Sequence, residues 1–162
     1  MTASLKLVPA TRMGVKYPSG TYRSERHFLD FVVNGQSLLE SVGKPDLVTV
    51  FCGEYAFDES IKAVNRLLLR EKADLPDDRR SFFICGECGD LGCGAITALV
   101  VKQDDSIVWK DFGFENSYEK TVELSNYEGV GLFMFDIAFY ENELIQAIDK
   151  LEDLKSSVRS AT

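Results

Sequence analysis

The sequence predicts an α+β domain in two layers: a mainly antiparallel sheet packed by a long C-terminal amphipathic helix, with one or two further helices. Three observations carry this expectation. At 162 residues, 45% apolar and 27% charged, the chain has the length of one domain (1–162) and the composition of a folded protein, not a disordered or fibrous one. Its strand-like runs and helical stripes do not alternate regularly, as a parallel sheet would require. Finally, Ile137, Tyr140, Leu144, Ile148, Leu151 and Leu154 step by three and four, the spacing of one buried helical stripe.

Leu5 and Leu7 start a first strand that Pro9 is expected to end, and Thr11–Ser24, with Gly14, Pro18 and Gly20, reads as loop. His27–Val33 has the composition of a buried strand and Asn34-Gly35 turns the chain. Ser37-Leu38-Leu39-Glu40 has capping-box spacing for a short helix, and Leu47–Phe51 is a further apolar run of strand length. Asp58 can cap a helix reaching about Arg70, with Ile61, Val64 and Leu68 on its buried stripe. Leu75–Asp78 is a loop signal, and Phe82, Phe83 and Ile84 begin the next strand. Ala95–Val101 and Ile107–Phe114 form a hairpin around the turn Asp104-Asp105-Ser106. Gly129–Gly131 is a joint before the apolar run Leu132–Phe135. Asp136 then caps the long helix, whose polar face carries Glu141, Glu143, Asp149, Glu152 and Asp153. Ser156–Thr162 reads as a frayed tail.

The net charge is −8. Residues 1–80 are nearly balanced, and the acidic excess falls in residues 81–162. Such a field repels phosphate backbones and excludes nucleic acid as the expected partner; it favours a basic protein or simple solubility. Met1–Lys6 lacks the apolar core of a signal peptide, and no run approaches the ~18 apolar residues of a membrane span, so the expected location is cytoplasmic, away from membranes. Nucleotide-binding loops and a G-x-S-x-G elbow are missing, and a single histidine limits acid–base chemistry.

The most unusual segment is Phe83–Ala95, which places three cysteines within nine residues among four glycines. Cys85-x-x-Cys88 is the spacing with which a tight turn brings two thiolates to one zinc ion, and Cys93 supplies a third. A closed site needs a fourth ligand, for which Cys52 and His27 are the candidates. A dithiol redox site would need a helix N-terminus at the first cysteine, where this sequence has a strand. The plainer alternative is a glycine-rich connection whose small cysteines fill space.

Cys85-Gly86-Glu87-Cys88-Gly89-Asp90-Leu91-Gly92-Cys93-Gly94-Ala95, together with Trp109-Lys110-Asp111-Phe112-Gly113 and Phe133-Met134-Phe135-Asp136, resembles the signature of a small, poorly characterised bacterial family sometimes labelled "oxidoreductase". The resemblance is strongest over about residues 81–145; it implies a shared fold and carries over no catalytic residue. In size and charge the chain is also similar to the immunity partners of bacterial toxins.

These readings lead to two expectations. The first is an acidic immunity protein, without catalytic residues, that covers the cationic site of a basic nuclease-type toxin. Its contact residues would be Asp104, Asp105, Trp109, Asp111, Glu115, Tyr118 and Glu119, with Trp109, Asp111 and Glu115 sharing one strand face. Trp109 packed under the long helix is the alternative for that residue. The second is a zinc-binding or thiol-dependent enzyme centred on Cys85, Cys88 and Cys93.

Overall fold

A computed structural model describes residues 2–119 and 121–160. The fold is α+β, as the sequence predicts. Strands β1 (Leu5–Arg12), β4 (Arg26–Val33) and β5 (Gln36–Ser37) form one antiparallel sheet in the order β1-β4-β5. Between the first two lies a small hairpin of β2 (Val15–Lys16) and β3 (Tyr22–Arg23), inside the segment expected to be loop. Pro9 does not end β1. Because β1 is an edge strand, a residue without an N–H costs the ladder nothing on its open side.

The second sheet contains β6 (Leu47–Thr49), β7 (Arg79–Cys85), β8 (Ala95–Gln103), β9 (Ser106–Glu115) and β10 (Phe133–Asp136), in the order β10-β9-β8-β7-β6, all antiparallel. The end of β6 and the chain just beyond it join the sheets: Leu29 N–H donates to Phe51 O (2.9 Å), Gly53 N–H to His27 O (2.7 Å) and the Thr49 hydroxyl to Leu29 O (2.6 Å).

Helix α1 (Leu38–Val42) is capped by Ser37, whose Oγ accepts from Glu40 N–H at 3.3 Å. Helix α2 (Phe57–Leu67) begins one residue before the expected cap: Ala56 is the N-cap, and Asp58 lies in the first turn, beside the positive end of the helix. It stops short of Arg70 because Leu69 turns to a positive φ of 61°. Its buried residues are Ser60, Ala63, Val64 and Leu67, with Leu68 buried at the C-cap; of the expected stripe Val64 and Leu68 are buried and Ile61 is half-buried.

Helix α3 (Ile137–Ser160) is capped by Asp136, which accepts from Phe139 N–H at 3.2 Å. The expected stripe is largely the packed one, with Tyr140, Leu144 and Leu151 buried. Glu143, expected on the polar face, is instead buried; it accepts from Leu7 N–H (2.8 Å) and pairs with Lys150 (3.0 Å), tying α3 to β1. The expected fraying is not seen over residues 156–160, which continue the helix; 161 and 162 lie outside the described residues. Lys155 anchors this last stretch on the carbonyls of Gly53 and Tyr55.

Trp109 occupies the centre of the core. It is fully buried, meets Phe82 and Phe135 with ring centroids at 4.7 and 4.6 Å, and donates its indole N–H to Tyr140 Oη (3.1 Å), which donates in turn to Leu67 O (2.6 Å). One aromatic and one hydroxyl thus fasten β9, α3 and α2 together.

Candidate metal centre

Strand β7 ends at Cys85, and the chain folds back at once. Gly89 N–H donates to Cys85 O (3.0 Å), with Gly89 at φ 68°, a left-handed position that suits glycine. Asp90 then caps a short 3-10 turn over Leu91–Cys93 by accepting from Gly92 N–H (2.9 Å). The result brings the sulfur atoms of Cys85, Cys88 and Cys93 within 4.8 Å of one another, Cys88 and Cys93 at 3.0 Å. Among the described residues no other group of three metal-capable side chains comes together.

The backbone is arranged for thiolates. Burial opposes ionisation of Cys85, but the amides of Cys88 and Glu87 and the thiols of Cys88 and Cys93 all donate to its sulfur and hold its pKa below the ordinary thiol range. Asp90 N–H points at Cys88 Sγ (3.4 Å). The hydrogen bond shared with Cys88, burial and the charges of the other two sulfurs push Cys93 up to about 12. A divalent ion at the centre of the three sulfurs would offset these penalties and favour the deprotonated form of all three.

The amino-terminal half clamps this turn. Arg12, buried, donates to Ser24 O, to Asp46 O (2.7 Å) and to Glu87 Oε1 (2.6 Å). Glu87 also accepts from Ser24 N–H (2.8 Å) and Oγ (2.9 Å), and these bonds hold its carboxyl below the usual range. Arg26 donates to Gly86 O (2.7 Å), and Tyr55 Oη donates to Cys85 O (2.7 Å). Sequence reasoning missed these supports. A charged Glu87 between two ligand-spaced cysteines was the one local signal that the turn is held by cations.

The two candidates for a fourth ligand lie elsewhere. Cys52 is buried, its pKa pushed up to about 12 by burial, with its thiol on Glu54 Oε1 (3.4 Å). His27 pairs with Glu54 through Nδ1 (2.6 Å) and with Glu25 through Nε2 (3.3 Å). Neither joins the group within 4.8 Å, so three sulfurs form the site.

The acidic contact set is dispersed. Asp104 and Asp105 are exposed at the hairpin tip, whereas Tyr118 and Glu119 are exposed beyond the opposite end of the ten-residue strand β9, roughly 30 Å of strand away. Trp109, Asp111 and Glu115 do not share a face. A bulge sets Asp111 and Phe112 of β9 opposite Ala98 alone, with Asp111 at φ 56°, and shifts the alternation. Trp109 and Phe112 therefore both point inward, and Asp111 is exposed. Glu115 turns to Arg79 (3.3 Å) and accepts from the Thr97 hydroxyl (2.6 Å).

Beside the cysteines lies a cleft of about 490 Å³ between α2 and β7, with Cys88, Gly89 and Leu91 in its wall. The features combined here are an α+β fold, a three-thiol centre and an adjoining cleft. The chain matches no family model, no curated protein and no solved structure. Among the described residues no helix is long and apolar enough to cross a membrane.

Proposed function

We propose that this chain is a metal-binding protein of the cytosol whose Cys85, Cys88 and Cys93 thiolates hold one thiophilic divalent ion, zinc foremost, with its fourth position open. The supporting observation is the convergence of three sulfurs within 4.8 Å on a turn whose amides already point at sulfur. Zinc–sulfur bonds of ~2.3 Å in tetrahedral geometry separate sulfurs by ~3.8 Å, so Cys88 and Cys93 need open by less than about an ångström. Three protein ligands with one open position is the pattern of reactive zinc, as opposed to a closed structural site. Arg12, Arg26 and Tyr55 would serve as the outer shell that keeps the ligands in place.

Protein purified under reducing conditions should carry about one zinc per chain by mass spectrometry of the metal, and Cys88→Ser should lose most of it. Wild-type protein that stays metal-free after reconstitution with zinc would overturn the reading.

A second reading, the toxin-neutralising partner protein, is favoured by one observation: Tyr118 is 88% exposed next to Glu119. An aromatic this open beside a carboxylate suits the grip of a Lys or Arg side chain. The loop is pinned to the cysteine segment, since Ser117 N–H and Oγ both donate to Gly92 O. Binding to a basic toxin encoded beside this gene should weaken about tenfold in Tyr118→Ala with Glu119→Lys, measured by surface plasmon resonance. An unchanged affinity would remove the loop from the interface.

A further inference from the structure

We infer that the cleft beside the cysteines receives a small cationic molecule carrying a soft donor atom, in its simplest form an aminothiol, whose sulfur takes the open metal position. This inference rests on the metal reading above. About 490 Å³ is the size of a small-molecule site, and because Cys88 belongs to the wall, an ion held by Cys88 borders the cleft.

Two observations define the ligand. The first is charge. Glu54, Glu59 and Asp74 line the cleft against the single cation Arg66. Asp74 is engaged by Ser81 N–H (3.1 Å), Ser81 Oγ and Arg66 (3.7 Å), and Glu54 by His27. Among the described residues Glu59 pairs only with Lys62, at 3.6 Å, and stays largely exposed at the rim. The lining thus carries two more negative charges than positive, which favours an ammonium and disfavours an anion.

The second is Ser60. This residue lines the cleft and is 1% exposed, yet its hydroxyl has no hydrogen-bond partner among the described residues. A serine inside a helix commonly donates back to the carbonyl four residues earlier. Here that carbonyl, Ala56 O, accepts instead from the amides of Glu59 and Ser60. Buried hydroxyls in folded proteins are almost always paired, and a small shift of the cleft wall would let a bound ligand supply the partner. Val50, Ala63, Ile84 and the Tyr55 side chain give the cleft apolar walls suited to a short methylene linker. On binding, the thiol loses its proton to solvent, a sulfur–metal bond forms, and a water leaves the metal.

The test uses the whole chain loaded with cobalt(II), whose visible d–d and sulfur-to-metal charge-transfer bands change when a fourth sulfur binds. Cysteamine, 2-mercaptoethanol and mercaptoacetate are titrated in turn. Cysteamine should reach half-saturation at about fivefold lower concentration than 2-mercaptoethanol, with mercaptoacetate weakest. Glu59→Gln and Ser60→Ala should each narrow that preference and leave cobalt affinity unchanged. Equal half-saturation for the three thiols on cobalt-loaded protein would overturn this inference and leave the metal centre standing. Loss of cobalt to cysteamine, in place of a shared complex, would overturn it as well. A chain that takes up no cobalt fails at the first step, before any thiol is added, and both readings fall.

Discussion

Glu115→Leu should lower the free energy of unfolding by about 3–5 kcal/mol, read from the urea midpoint. The reason lies in what the substitution leaves behind. Arg79 is buried with only 6% of its side chain exposed, and Glu115 with 12%. The guanidinium donates to Thr97 Oγ1 (2.8 Å), Thr97 O (3.0 Å) and Asp111 O (2.6 Å), all neutral acceptors. Burial lowers the Arg79 pKa, and the Glu115 charge opposes that shift. Without Glu115 a cation stays in the interior uncompensated. Adding Arg79→Met should recover most of the loss, because an apolar pair of similar volume removes the desolvation penalty altogether. A native midpoint for Glu115→Leu would return this residue to the acidic surface, where sequence alone had placed it.

Gly86→Ala should cost about 3 kcal/mol and abolish metal binding. A methyl group on Gly86 would sit 2.0 Å from Arg12 Nη1 and 2.9 Å from the Asp46 carbonyl oxygen. Arg side chains often swing aside, but this one is locked by its bonds to Ser24, Asp46 and Glu87. Relief of the clash therefore requires breaking the clamp or moving the turn that carries Cys85 and Cys88. Gly129→Ala, where the added methyl meets nothing within 4 Å, should stay within about 0.5 kcal/mol of wild type and control for the composition change. Midpoint and zinc content measured on the same preparations decide the point. A Gly86→Ala protein with native stability and full metal content would show that Arg12 does not support the centre.

Much of the fold was legible because it follows from local rules. The α3 stripe, the Ser37 cap and the two-residue turn at Asp104-Asp105 each involve residues a few positions apart. The errors came where tertiary context decides. Pro9 is permitted by being on an edge, which depends on strand order. Glu143 is buried because Leu7 N–H and Lys150 await it, the first of them 136 residues away in sequence. The bulge at Asp111 moved Trp109 off the acidic face, and nothing in alternating polarity signals an extra residue in a ladder. The candidate site divides in the same way. The cysteine spacing was visible, but Arg12, Arg26, Tyr55 and Ser60 reach it only through the folded topology.

The clamp also gives the centre a place in time. Arg12, Ser24 and Arg26 leave the ribosome long before Cys85, so the residues that shape the turn are already made when the thiols appear. Contacts spanning sixty residues or more are nevertheless slow to form, because a long loop must close first. During that interval the cysteines are three unrestrained thiols in a nascent chain. The shaped turn is thus expected late in folding, and on the metal reading a grip on the ion would come only as the two halves of the chain close on each other.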